Sequence, residues 1–298
     1  MSSIHSSMVS IVIPCYKGDR YLAEAIESCL QQTHRNLEVI VVDDASPDRC
    51  AEIAENYRTR DSRVQLIRHP VNKGVSEAFN TGFGAASGMY MTRLAQDDLF
   101  RNDAIEMMVR HLESHPDTGL IYCDYQQIDG TGQVLKQIQL PEAKTVLSTG
   151  NKVGLCVMWR RNVWEATGGF DTRFDTAEDF DFWLRVNERF KIARCPEGSP
   201  LFVRVHSEMG SKVFSARQEI LGARLLARHA PGKLRAARIM ENGFYNAAFN
   251  SSEKHDFLHA LQYIGRALCH WPFDYRLFKL LGRVLISVAL QQRQGSKP

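Results

Sequence analysis

Short, wholly apolar runs separated by amphipathic stretches set the tightest limit on what this chain can become. Residues 9–13 (VSIVI) are rich in β-branched side chains and are stopped by Pro14, which reads as a buried strand with a loop at its carboxyl end. Leu22, Ala25, Ile26, Cys29 and Leu30 then recur at helical spacing. Residues 37–42 form a second apolar run that ends in Asp43 and Asp44. Strand, helix and strand over so short a stretch predict a right-handed parallel crossover. The grammar repeats: residues 64–67 read as a third strand, and Ala78, Phe79, Gly82, Phe83 and Ala86 as one face of a helix. The run from Met89 is a strand that ends on Asp97 and Asp98. Two strand ends of one parallel sheet therefore carry paired aspartates, at the carboxyl edge where open α/β sheets bind ligands.

Neighbouring carboxylates repel, and burial strips their hydration, unless a positive partner joins them. Hard divalent cations such as Mg2+ or Mn2+ take oxygen ligands. That makes Asp97 and Asp98 candidate metal ligands, with the metal bridging a diphosphate. An Asp-Asp pair that merely ends a strand and caps the next helix is the competing explanation. Neither a G-x-x-x-x-G-K-[ST] phosphate loop nor a G-x-G-x-x-G follows the first strand. A nucleotide would instead be held by carboxylates accepting from base N–H or ribose hydroxyls, and by a metal on its phosphates.

The 298 residues, 44% of them hydrophobic, suffice for one large domain and an appendage. Lys and Arg number 37 against 34 Asp and Glu, a net charge of +3. That near balance argues against nucleic acid as a partner. Residues 1–7 lack the basic start and apolar core of a secretory signal, and no run of about 18 apolar residues occurs, so a cytoplasmic protein is expected. The seven cysteines are scattered, never in a C-x-x-C pair, and read as reduced core thiols.

Further on, residues 121–124 and 157–159 read as strands, while residues 131–147 show no regular pattern. Gly168 and Gly169 suit a tight turn or a close backbone approach to substrate. AEDFDFWLRV places Glu178 and Asp179 at the start of a helix, with Phe180, Trp183 and Leu184 on its buried face. Acids in a first helical turn are favoured by the helix dipole alone. Residues 201–205 form a strand-like run that delivers His206. Arg204 and Lys212 are candidates to neutralise phosphate, and Trp159 and Trp183 either stack on sugar rings or pack in the core.

Taken in order, VSIVIPCYKGDRYLAEAIESCLQQTHRNLEVIVVDDASPD, NKGVSEAFNTGFGAASGMYMTRLAQDD, GGFDTRF and AEDFDFWLRV resemble the family 2 glycosyltransferases, over about residues 8–212. The resemblance implies an α/β fold of GT-A type, Rossmann-like, over residues 1–214, with residues 215–298 as a helical C-terminal extension. It implies inverting transfer of a sugar from a nucleotide-diphosphate donor, a UDP-sugar being favoured, to a carbohydrate or lipid-linked acceptor. Mg2+ or Mn2+ is the implied cofactor, and bacterial polysaccharide or glycolipid assembly the implied setting. On the same resemblance Pro14, Cys15 and Tyr16 lie against the base, with Asp43 and Asp44, of which Asp44 is the nearer. Asn72 and Gly74 line the nucleotide pocket, Asp97 and Asp98 end the metal and diphosphate motif, and His206 reaches the metal or diphosphate. Asp179 is the implied general base, with Glu178 orienting the acceptor. Two positions depart from the family pattern: Lys17 stands where Asn is common, and Ala95 where an aspartate commonly begins the metal motif. Two other functions fit less well. A nucleotidyltransferase wants a glycine-rich activating loop where this chain has only Gly18; a non-catalytic nucleotide- or sugar-binding subunit is suggested by Ala95.

From about Ser215 four helical segments follow, near residues 217–228, 233–249, 257–269 and 275–292. The last carries Leu277, Leu280, Leu281, Val284, Leu285 and Val288 among Arg276, Lys279, Arg283 and Arg293. Its expected partners are the catalytic domain, a second subunit in a homo-oligomer, or an anionic membrane surface.

Overall fold

A computed structural model describes residues 7–142, 151, 153–206, 215–228, 233–254, 256–270, 272 and 274–295. The chain forms two compact units, Met1–His206 and Ser207–Pro298. In the first, β1 (Val9–Cys15), β2 (Leu37–Asp43), β3 (Val64–Arg68) and β4 (Tyr90–Arg93) run parallel. Helices α1 (Leu22–Leu30), α2 (Cys50–Arg60) and α3 (Val75–Ala85) link them. The apolar runs are buried along their length because helices cover both sheet faces. Helix α3 comes closest at Gly82, where an added Cβ would lie 2.3 Å from Val12 Cγ1.

The seven-stranded sheet is completed by β6 (Thr118–Cys123), β9 (Cys156–Arg160) and β10 (Lys191–Cys195), in the order β10-β6-β9-β4-β1-β2-β3. One expectation is corrected here: the sheet is not all parallel. Strand β9 lies antiparallel between β4 and β6, and its hydrophobic run VMW, buried on both faces, carries no mark of direction. Helix α4 (Ala104–Ser114) covers the neighbouring face with Met108 and Leu112.

A second sheet, of order β5-β11-β7-β8, comprises β5 (Leu99–Phe100), β7 (Tyr125–Ile128), β8 (Val134–Ile138) and β11 (Leu201–Arg204). Strand β8 falls in the stretch that showed no pattern, because it is an exposed hairpin arm with Val134 and Leu135 facing solvent. Strand β5 directly follows Asp97 and Asp98 and pairs with β11, which fastens the acidic turn to the strand that leads to His206.

After β9 come α5 (Arg161–Thr167) and α6 (Glu178–Asn187). They pack through an aromatic cluster in which Trp159 and Trp183 lie 5.9 Å apart and Phe170 and Phe182 4.9 Å apart. Both tryptophans are fully buried, so core packing is their role and sugar stacking is ruled out for them.

The second unit holds α7 (Ser215–Arg228), α8 (Lys233–Glu253), α9 (Phe257–His270) and α10 (Tyr275–Gly295), four helices as expected. Its core includes Phe244, Ala247, Ile264, Leu277, Leu280 and Val284. Leu285, expected on the buried face of α10, is exposed together with Tyr275, Phe278 and Ile286. Among the described residues no helix is long and apolar enough to cross a membrane. Six of the seven cysteines are buried free thiols and Cys269 is exposed.

Candidate active site

The carboxyl ends of β1, β2 and β4 lie side by side, since Cys15 is in register with Asp43 and Val12 with Arg93. The loop after β1 is held from both sides. Tyr16 N donates to Gln96 Oε1 at 2.9 Å, Gln96 Nε2 donates back to Tyr16 O, and Lys17 N donates to Ser46 Oγ at 2.7 Å. Lys17 and Ala45 both have positive φ, 54° and 55°, a conformation that L side chains seldom adopt and that the surrounding bonds must hold. The Tyr16 side chain is half open to solvent, whereas that of Cys15 is buried. A hydrogen bond with the Cys50 thiol, reinforced by burial, pushes the Cys15 thiol far up, so it stays protonated and the backbone is what Cys15 offers a ligand.

Asp43 accepts from Ser46 N at 2.9 Å and pairs with Arg68 at 3.3 Å. Asp44 is buried and engages protein donors with both oxygens: Oδ1 meets His69 Nδ1 at 2.7 Å and Lys73 N at 2.8 Å, and Oδ2 meets Gly74 N at 2.8 Å. Asn72 Nδ2 donates to the Asp44 carbonyl at 3.2 Å. Asp44, Asn72 and Gly74 thus form one knot, and Gly74 at φ 90° closes it. Asp44 therefore presents no open carboxylate.

At the β4 end the two acids diverge. Asp98 is buried and its Oδ1 accepts Arg204 N at 2.9 Å; burial and the adjacent Asp97 charge hold its carboxyl well above the usual range. Asp97 stays partly open, and its Oδ2 lies 2.7 Å from His206 Nε2. Of the expected acidic pair, then, Asp97 is the one presented, beside His206. Arg204 is buried under Tyr21, 4.2 Å from the ring, and donates to the carbonyls of Asp97 and Gly130 and to Glu24. It shapes the acidic turn and is not a free phosphate clamp; Lys212 lies outside the described residues.

Glu178 and Asp179 open α6 and meet Arg93 of β4. Arg93 Nη2 donates to Asp179 Oδ2 at 3.0 Å, and Nη1 lies 4.0 Å from Glu178 Oε1. Asp179 Oδ1 accepts from Asn151 Nδ2 at 3.0 Å and from Phe180 N at 2.7 Å. Asp181 turns away to Arg185, 2.8 Å distant. Just before α6, Asp175 accepts from Ser76 Oγ at 2.9 Å and lies 3.4 Å from where a Gly74 Cβ would be. Asp44 is bonded to Gly74, Asp175 lies beside Gly74, and Asp179 pairs with Arg93 at the end of β4.

Glu178 is buried, and its Oε2 has no hydrogen-bond partner among the described residues. Burial, then repulsion from Asp179, pushes its carboxyl up to about 7, against a partial opposing pull from Arg93. The ordinary value is 4.5, so between these limits the folded chain keeps a proton that the unfolded chain has released. Stability contributed here is present below the lower value and falls as pH rises through the upper one. The total change is about 3 kcal/mol. Urea denaturation at pH 5 and pH 8 is expected to show that drop in the wild type and its removal in Glu178→Gln; the same slope in both proteins would refute it.

Arg93, Gln96, Asn151 and Asp175 were not found by sequence reasoning. Only Arg93 left a signal, a charge inside an apolar strand that must find a partner when buried. A separate donor group, His111, Cys195 and Glu197, places its ligand atoms within 4.8 Å of one another. Its carboxylate is already satisfied by Arg110 at 2.8 Å and His111 at 3.2 Å.

Comparison with known proteins agrees with this geometry. The model for "Glycosyl transferase family 2" matches residues 10–172, more than half of the chain. An uncharacterized glycosyltransferase of Rickettsia conorii is 33% identical over 232 residues, 73% of this chain and 37% of its own length, so the chain spans little more than a third of that relative. Glycosyltransferase GlyG of Streptococcus pneumoniae is 33% identical over 127 residues, 42% of each protein. Among solved structures, S. aureus TarS 1-349 in complex with UDP has a TM-score of 0.64 at 16% identity, covering 97% of this chain and 92% of that one. Mannosyltransferase PcManGT from Pyrobaculum calidifontis, in complex with GDP-Man and Mn2+, has a TM-score of 0.59 at 16% identity, covering 97% and 88%. These likenesses establish the GT-A-like α/β fold with its helical C-terminal part. With the sheet edge, the acids along it and the matched family model all in accord, the chain belongs to glycosyl transferase family 2.

Proposed function

We propose that this chain is an inverting glycosyltransferase that moves a sugar from a nucleotide-diphosphate donor, a UDP-sugar being favoured, to a hydroxyl of a carbohydrate or lipid-linked acceptor. Bacterial polysaccharide or glycolipid assembly at the cytoplasmic face of the membrane is the setting. The observation that carries this reading is the pair of half-sites at the end of β4 and in the turn after it: Arg93 holding Asp179, and Asp97 beside His206. TarS has been solved with UDP and with UDP-GlcNAc, and PcManGT with GDP-Man and Mn2+, which supports a nucleotide-sugar donor here.

The donor base lies against Tyr16 and the backbone of Pro14 and Cys15, between the loop of Asp43 and Asp44 and that of Asn72 and Gly74. Asp97 and His206 fit a divalent cation: one carboxylate and one imidazole sit at contact distance, each about a fifth exposed. Oxygen ligands suit Mg2+, and an added imidazole suits Mn2+. Asp98 serves by holding the turn. A bound cation neutralises charge on the departing nucleotide diphosphate. Asp179 takes the proton of the acceptor hydroxyl while that oxygen bonds to the anomeric carbon from the face opposite the phosphate. The bond to the phosphate oxygen breaks, and the configuration inverts. Glu178, whose carboxyl burial pushes up to about 7, orients the acceptor by donating a hydrogen bond in its protonated form.

A thermal-shift screen of UDP-, GDP-, dTDP- and CMP-sugars with and without Mn2+ tests the donor class. A donor at 100 times its Kd stabilises by about 2.7 kcal/mol, several degrees in Tm. A UDP-sugar is expected to act most strongly, and more so with Mn2+; no response to any of the four ends the reading. The exposed Tyr275, Phe278, Leu285 and Ile286 of α10, beside Lys279, support peripheral attachment to an anionic membrane. Sedimentation with anionic liposomes is expected to be lost in the double variant Phe278→Asp and Ile286→Asp, and a wild type that stays in the supernatant removes the membrane contact.

A further inference from the structure

Arg93 ends an otherwise apolar strand and is buried, so its charge must be answered inside the protein. Its guanidinium lies 5.6 Å from the Trp183 ring centre and 5.7 Å from that of Phe79. Aromatic faces of this kind attract the cation and leave it little room to move. One Nη donates to Asp179 Oδ2 at 3.0 Å, and the other is 4.0 Å from Glu178. Asp179 comes from a helix on a different part of the chain, 86 residues away. On the other side, Arg93 is held by the sheet, in register with Val12, and Leu94 N donates to Val12 O at 3.0 Å. Four residues after Arg93 stands Asp97, facing His206 at 2.7 Å.

We propose that Arg93 is a positioning residue that locks the general base Asp179 to the end of β4, four residues before the donor-phosphate acid Asp97 in the turn that follows. The placement of Asp179 relative to that turn is then set by the strand end. This inference rests on the functional reading above, in which Asp179 is the base. Orientation is the contribution: the Nη2 bond fixes Oδ2 while Asn151 and Phe180 N fix Oδ1, which leaves the carboxylate a single pose for the acceptor. Lysine can keep the charge at this position but not the planar two-pronged geometry.

The test compares Arg93→Met and Arg93→Lys in the full chain, by kcat and KM for donor turnover, UDP affinity by calorimetry, and urea denaturation. Arg93→Met is expected to lose about 100-fold in kcat, the scale of a misplaced catalytic group, with KM and UDP affinity changed less than about threefold. Arg93→Lys is expected to recover part of that loss, and serves as the folded variant if Arg93→Met does not fold. Denaturation midpoints of Arg93→Met, Asp179→Asn and the double variant are expected to be non-additive. Retention of wild-type kcat, a proportional loss of UDP binding, or additive midpoints would each overturn the proposal. A wild type that binds no UDP and cleaves no nucleotide sugar defeats the functional reading instead, while the denaturation cycle still decides whether Arg93 holds Asp179.

Discussion

Asp179→Asn is expected to lower turnover by about 10²–10⁴-fold, the usual worth of a positioned general base, while UDP affinity stays within a small factor. Asparagine keeps the size of the side chain and can still accept from Asn151 and Phe180 N, which contact Oδ1 in the native protein. On the proposed reading it loses the ability to take the acceptor proton, together with the charge that pairs with Arg93. The proposed donor pocket is built on the bonds among Asp44, Asn72 and Gly74, and none of those bonds involves Asp179. A loss that falls on kcat with ground-state binding intact marks an interaction made in the transition state. Calorimetric titration with UDP beside steady-state kinetics is the measurement. A parallel fall in both would mean that the base lies elsewhere and that Asp179 is a scaffold residue.

Asp44→Ala is expected to destabilise the protein by about 3–5 kcal/mol, the cost of removing one partner from a buried charged network. The substitution removes the acceptor of the Lys73 and Gly74 N–H groups and the partner of His69 Nδ1, and the orphaned donor of the buried His69 is costly on its own. His69 keeps only its 3.0 Å contact with Thr81. The loop from Asn72 to Gly74 then keeps only the Asn72 bond to the backbone carbonyl of residue 44 at the end of β2, so UDP affinity falls with stability. Asp44→Asn should be milder, since the amide oxygen still accepts one of the three bonds. Urea denaturation and UDP titration on the same samples check both parts; a stable Asp44→Ala with weak UDP binding would instead make Asp44 a direct ligand contact.

The two aspartate pairs illustrate what a strand end does and does not disclose. Asp43, Asp44, Asp97 and Asp98 are visible in sequence because an apolar run stops on two charges. Whether such a carboxylate faces a ligand or the protein depends on donors that are remote in the chain. For Asp98 that donor is Arg204 N, 106 residues away, and for Asp44 it is a loop 29 and 30 residues on. Asp97 escapes because its neighbour is His206, itself about a fifth exposed at the end of the same region. Arg204 was misread for the same reason: a surface phosphate clamp and a buried arginine serving three carbonyl and carboxylate acceptors look alike in one dimension. Trp159 and Trp183 also could be told from sugar platforms only once their neighbours were known.

Local periodicity and composition by themselves determined the alternation of strands and helices in the first half, the sheet edge at which acids gather, and the four-helix texture of the tail. Those features depend on residues within a few positions of one another, where burial and backbone sterics act directly. Tertiary structure alone decided the antiparallel entry of β9, the exposed β7–β8 hairpin, and the joining of Arg93 to Asp179. Strand direction leaves no trace in a run buried on both faces. A salt bridge between residues 86 apart exists only after the sheet and α6 have packed, because its energy depends on a distance that no local pattern sets.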